Sequence, residues 1–222
     1  MGKEIHLLGY GFNLADGPLN KHLNLTQKLR KERVTLQLAV INRFFGRTVV
    51  DLNKILYPSP RGTNKSDSPR SANDLSCRDT LMKPHLVHAL LSQGLFSEYR
   101  AAAYWVAQNA QVPVQVPKLP IAAAIAMIVA AGGEAVLAHP GYIACESEVK
   151  LDSLLAELVP LGLRGLEVDY PYLGTSPAFA DAAGEKKLIA NMRRLAKRFK
   201  LKETRGSDAH DIEALKRFSS KC

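Results

Sequence analysis

Cysteine is scarce in this 222-residue chain. Cys77, Cys145 and Cys222 stand far apart, are odd in number and form no CxxC pair. That scatter excludes a disulfide framework and a cysteine-built structural zinc knot, and it suits a reducing cytoplasm. Long apolar runs are missing too. The N-terminal "MGKEIHLLGYGFN" carries a lysine but no apolar core of signal-peptide length. The most apolar stretch, Leu119 to Val129, is interrupted by Pro120 and is too short to span a bilayer, so nothing points to a membrane. No internal repeat is visible. Acidic residues are outnumbered, 21 Asp and Glu against 30 Lys and Arg, for a formal net charge of +9.

What is present is an ordinary globular composition, 46% hydrophobic and 23% charged, in a chain long enough for one large domain or two smaller ones. The basic excess favours phosphate-bearing partners through long-range attraction. It gathers in "KLRKER" (28–33) and "KKLIANMRRLAKRFKLK" (186–202). Both segments read as amphipathic helices, and in the second Leu188, Ile189, Met192, Leu195, Ala196 and Phe199 recur at helical spacing. A solvated helix face is the simpler account of these charges, and a phosphate-attracting surface is the other.

Along the chain, "EIHLLGYGF" reads as a buried strand followed by a loop at "NLADGPLN". Helical pattern runs from about Leu19 to Phe45, and a short helix is expected in "VVDLNKILY". The segment near 57–77, rich in Pro, Ser, Asn and Asp, has the composition of a mobile loop. Helices follow in "PHLVHALLSQG", with Gly94 as a C-terminal cap, and in "SEYRAAAYWVAQNA". After "QVPVQVPKLP" the texture changes to alternating helices and strands. "IAAAIAMIVAAGG", "LDSLLAELVPLG" and "FADAAGEKKLIANMRRLAKRF" are helical, while "EAVLAHPG", "LRGLEVDYP" and "LKETRGSDAH" are strands, and a short helix closes the chain. This alternation predicts parallel βα units, with residues 1–18 and 119–222 forming one α/β body and 19–118 a helical insertion.

In such folds functional residues gather where strands end at their C-terminal edge. His6 lies in the first strand, His139 ends "AVLAH", and Asp208 and His210 follow "ETRGS". Each alone is compatible with a turn or a satisfied core histidine. Together they are hard to explain by packing, because polar side chains at buried strand ends are costly unless paired or metal-bound. Neutral imidazole and carboxylate are ligands shared by zinc, manganese and iron, and without cysteine they favour a hydrolytic over a structural site.

The motifs "EIHLLGYGF", "KPHLVHALLSQG", "GGEAVLAHPG", "GLRGLEVDYP" and "GSDAHD", taken in order, resemble those of the polymerase-and-histidinol-phosphatase (PHP) superfamily, over residues 4–211. The closest likeness is to its stand-alone metal-dependent phosphoesterases, which hydrolyse nucleotide phosphates or trim RNA from the 5′ end. The resemblance implies a partial, distorted (β/α)7 TIM-like barrel with an all-helical insertion. It implies two or three divalent ions (Mn, Zn or Fe) held by His6, His139, Asp208 and His210. Lys83 and His85 would meet the substrate phosphate, with His85 as proton donor to the leaving oxygen. Lys83 stands where an arginine is usual, keeping the charge and losing the bidentate fork. Tyr170 would line the pocket or merely pack, and Glu167 would form a salt bridge.

The family also has an HxH motif, an Asp, a further His and a Glu ligand upstream of the "HLLGY" position, and none is visible here. Glu4 is too near His6 to be that Glu. The expectation is a chain that starts at the third metal motif and lacks the first strand–helix units, leaving strand edges open to another chain. The resulting function is a cytoplasmic metal-dependent phosphoesterase acting on a phosphate-bearing small molecule or an RNA or DNA oligonucleotide. The alternative is a catalytically inactive remnant that binds nucleotides or nucleic acid through its basic helices.

Overall fold

A computed structural model describes residues 4–56, 81–146, 149–173 and 179–208. The expected mobile loop near 57–77, His210 and the closing helix lie outside these residues. The chain divides into two compact units, residues 1–20 with 119–222, and residues 21–118.

The first unit is mixed α/β. Its sheet contains β1 (Leu7–Tyr10), β2 (Glu134–Leu137), β3 (Leu163–Asp169) and β4 (Lys202–Arg205), in the spatial order β1-β2-β3-β4. Strands β2, β3 and β4 are parallel, as the helix–strand alternation predicts. β1 differs. It pairs antiparallel with β2, Leu7 opposite Leu137, and it is half-buried rather than buried because it lies at the end of the strand order. The inner strand β3 is buried along Gly165 to Val168, the continuous run expected of a parallel strand covered on both faces. An irregularity in the β3–β4 register falls between Glu167 and Asp169, a local twist beside the strand ends.

Helices cover this sheet for reasons legible in their sequences. In α7 (Leu151–Leu158), Leu151, Leu154, Leu155 and Leu158 form one buried stripe. In α8 (Ala182–Arg198), Met192, Leu195 and Ala196 are buried and pack with Leu155, Leu163 and Leu166. Asp181 caps α8 by accepting the Gly184 N–H at 2.7 Å. Glu185 in its first turn and Lys197 and Arg198 in its last complement the helix dipole. Helix α5 (Ile121–Ala130) buries Ile125 in the same core. A short helix, α6 (Gly141–Glu146), follows the "AHPG" turn and was not expected from sequence.

The second unit holds most of α1 (Gly17–Phe44), then α2 (Leu52–Leu56), α3 (Lys83–Ser92) and α4 (Tyr99–Asn109). Val34, Leu38 and Ile41 of α1 pack with Leu86, Leu90 and Val106. The Asn42 carboxamide stitches the chain after α1, accepting the Val49 N–H at 2.8 Å and donating to the Val50 carbonyl at 3.3 Å. Gly94, at φ 68, follows the C-cap Gln93 of α3, as expected. Among the described residues no helix is long and apolar enough to cross a membrane.

Candidate functional site

The antiparallel hand of β1 decides which strand ends meet. The residue before β1 lies beside the residue after β2, and the Ala138 N–H donates to the His6 carbonyl at 3.1 Å. His6 therefore reaches His139 from the N-terminal end of its strand, not from the C-terminal end that an all-parallel sheet would require. Their ring nitrogens, His6 Nδ1 and His139 Nε2, are 3.0 Å apart, with the rings edge to face at 77°. That distance is an ordinary N–H···N hydrogen bond. Two imidazole nitrogens this close would also lie within reach of one divalent ion.

His139 is half-buried and carries φ 31, left-handed backbone that a β-carbon disfavours. Burial lowers its pKa, and the positive charge of a protonated His6 acts in the same direction, while Asp208 opposes both. A lowered pKa keeps the imidazole neutral, the form that ligates or hydrogen-bonds.

Asp208, after β4, enters the cluster through Tyr170. The Tyr170 hydroxyl donates to Asp208 Oδ2 at 3.0 Å, and its ring lies edge-on to His139 at 5.5 Å between centroids. Asp208 is likewise left-handed, at φ 45. Burial is the first cause that raises the Tyr170 pKa far above its ordinary range, so the phenol stays protonated and keeps donating. Tyr170 thus both packs and touches the site.

Sequence reasoning missed two supports. Glu167, for which a salt bridge was expected, is 4% exposed, and its Oε2 accepts the His139 backbone N–H at 2.7 Å. Burial raises its pKa, the His139 amide opposes that shift, and Asp208 adds to it. Tyr172 is fully buried, and its hydroxyl accepts the Gly141 N–H at 2.9 Å. A β-carbon on Gly141 would sit 2.5 Å from Tyr172 Cε1, so the glycine of "AHPG" is required by close approach. The rings of Tyr142, Tyr170, Tyr172 and Phe179 close the wall beside His139. A cluster of Tyr and Phe C-terminal to a strand was the available signal, but which of their polar atoms faced the histidine was not.

The fold is shared with a solved protein. A candidate metal-dependent phosphoesterase from Bifidobacterium adolescentis superposes with a TM-score of 0.61 at 19% sequence identity, over 98% of this chain and 71% of that one. At that identity the likeness establishes common architecture alone. No protein-family model matches the sequence, and no curated protein matches it.

Lys83 and His85 belong to the helical unit. Lys83 is the exposed first residue of α3, and His85 sits in its first turn. The His85 Nδ1 accepts the Met82 N–H at 3.2 Å, which leaves Nε2 as the nitrogen that carries the proton of the neutral ring. Glu4 lies 3.9 Å from His6, with both side chains more than half exposed, a weak surface contact. Among the described residues no three His, Cys, Asp or Glu side chains converge closely enough to hold a metal ion by themselves. Those brought together are His6 and His139, with Asp208 joined through Tyr170.

Proposed function

We propose that this chain is a metal-dependent phosphoesterase acting on nucleotide or oligonucleotide phosphoesters. The reading rests on one observation above all, the 3.0 Å approach of His6 Nδ1 and His139 Nε2 at strand ends beside Asp208. The donor chemistry fits divalent Mn, Zn or Fe, since two imidazoles and a carboxylate are shared ligands of all three. His6, His139, Asp208 and His210 would hold two or three such ions. When bound, the ions supply charge to the phosphate oxygens and an activated water. The four-stranded sheet would then be part of a distorted β/α barrel, with 21–118 inserted in it.

The chain's own residues have the following parts. The neutral His139 imidazole, held so by burial, offers a nitrogen lone pair without first losing a proton at neutral pH. Tyr170 holds the Asp208 carboxylate by donating to Oδ2. Lys83 would attract the substrate phosphate as a point charge. His85 would protonate the leaving oxygen only as the imidazolium, which gives up the Met82 N–H; with Nδ1 accepting that amide, the neutral ring would instead donate a hydrogen bond from Nε2–H to that oxygen.

The test is metal stoichiometry by elemental mass spectrometry, after incubation with manganese or zinc and desalting. It is followed by phosphate release from mononucleotides and short oligonucleotides. Two or three ions per chain, with hydrolysis lost on EDTA treatment and in His139→Ala, supports the reading. Near-zero metal, with nucleotide or nucleic-acid binding that weakens steeply with salt and ignores chelator, would replace it with a binding protein working through basic helices.

A further inference from the structure

A carboxylate on the inner strand of a sheet needs a reason, because a leucine would fill that place without desolvating a charge. Glu167 lies on β3 between β2 and β4, the two strands whose ends carry His139 and Asp208. Its two oxygens face opposite ways. Oε2 accepts the backbone N–H of His139 at 2.7 Å. Oε1 occupies the space where residue 206 would carry its β-carbon, and an added Cβ there would also lie 2.9 Å from the Glu167 carboxyl carbon. Position 206 is therefore a glycine for Glu167's sake, although it is not in the left-handed region. The far end of a glutamate can normally swing aside, but this one is 4% exposed and pinned by the His139 amide.

The turns that flank Glu167 carry unusual backbone. His139, whose amide is held, has φ 31, and Asp208, two residues past Gly206, has φ 45. Left-handed non-glycine backbone persists only where the surroundings over-determine it. The Gly206 N–H, donated to the Asp169 carbonyl at 3.1 Å, ties the β4 end to the end of Glu167's own strand.

We propose that Glu167 and Gly206 form an internal clamp in which one buried carboxylate sets the aim of both His139 and Asp208 by fixing the backbone of the turns that bear them. Glu167 is a positioning residue that acts through the main chain. The proposal rests on the reading of His139 and Asp208 as ligands, and it deepens that reading by naming what spaces them.

The test uses Glu167→Gln, Glu167→Ala, Gly206→Ala and the Glu167→Ala/Gly206→Ala double variant. Two readouts are taken, amide hydrogen exchange at His139 in the metal-free protein and Mn2+ affinity by titration calorimetry. Glu167→Ala is expected to speed His139 exchange at least tenfold while the Leu166 amide stays protected, and to weaken Mn2+ binding by roughly 10–100-fold. Glu167→Gln keeps an acceptor oxygen and retains most of the His139 protection. Gly206→Ala alone behaves like Glu167→Ala, because the new β-carbon displaces Oε1. In the Glu167→Ala background the same glycine change adds nothing, and that non-additivity separates a clamp from a merely intolerant turn.

Unchanged His139 protection in a folded Glu167→Ala protein overturns the proposal, as does unchanged Mn2+ affinity or a Gly206→Ala effect of equal size with and without Glu167. If the unaltered protein takes up no Mn2+, the ligand reading fails on its own. The exchange pattern across the four variants still decides whether the clamp exists.

Discussion

Replacing Tyr172 with phenylalanine isolates one hydrogen bond from a packed aromatic wall. The ring is fully buried, with centroids 4.7 Å from Tyr170 and 5.0 Å from Phe179, and phenylalanine preserves those contacts. What disappears is the acceptor of the Gly141 N–H at 2.9 Å, a donor that is itself buried. A buried backbone N–H left without a partner costs about 1–3 kcal/mol, so we expect a loss near 2 kcal/mol. For a chain of this size that corresponds to a melting point about 4–8 °C lower. The companion Gly141→Ala places a β-carbon 2.5 Å and 2.6 Å from ring atoms of Tyr172 and 2.8 Å from Leu188 Cδ2. Obstructed on two sides, it is expected near the upper end of the roughly 1–3 kcal/mol that overpacking costs. Tyr172→Phe should add less in that background than alone, because the displaced ring has already lost the bond. Urea unfolding with linear extrapolation measures both, and Gly141 amide exchange reports the bond directly. A Tyr172→Phe protein within about 0.5 kcal/mol of the parent, with the Gly141 amide still protected, would refute the reasoning.

Leu155→Ala removes a fully buried side chain from the core of the first unit and should cost about 2–5 kcal/mol, read by the same unfolding curves. The His139 ring should titrate below the ordinary histidine value of 6.5 in the metal-free protein, seen as the pH dependence of its Cε1 proton by NMR. The sign follows from the lowered pKa. The unfolded chain takes the proton first, so His139 has no effect on stability well above pH 6.5 and destabilises the fold progressively as pH falls through and below 6.5. A midpoint at or above 6.5 would contradict the burial argument. Arg193 bridges Asp169 at 2.7 Å and Glu203 at 3.1 Å, yet all three are largely solvated. Arg193→Ala should therefore cost no more than about 1 kcal/mol, and a larger loss would mean the pair braces the end of β3.

Much of this molecule was decided locally. The α7 stripe of four leucines, the Asp181 cap and the basic last turn of α8 are one-dimensional patterns, because a helix satisfies its own backbone and displays its buried face at fixed spacing. The parallel course of β2, β3 and β4 follows from the helices between them, which leave no short route back. The histidines and Asp208 stood out because imidazole and carboxylate are costly at strand ends without a partner.

Tertiary structure decided how those residues meet. The antiparallel pairing of β1 brings His6 across 133 positions to His139, and no local pattern encodes strand direction when the separate unit 21–118 lies between that strand and the next. The face of Glu167 was equally hidden. Its strand is buried on both sides, so the alternation that marks inward and outward positions on a half-exposed strand is absent. Its two partners, the His139 amide and the bare α-carbon of Gly206, show no side chain in a sequence. Side-chain chemistry can be read along a chain, but the backbone groups that hold it in place acquire their roles only when distant segments pack.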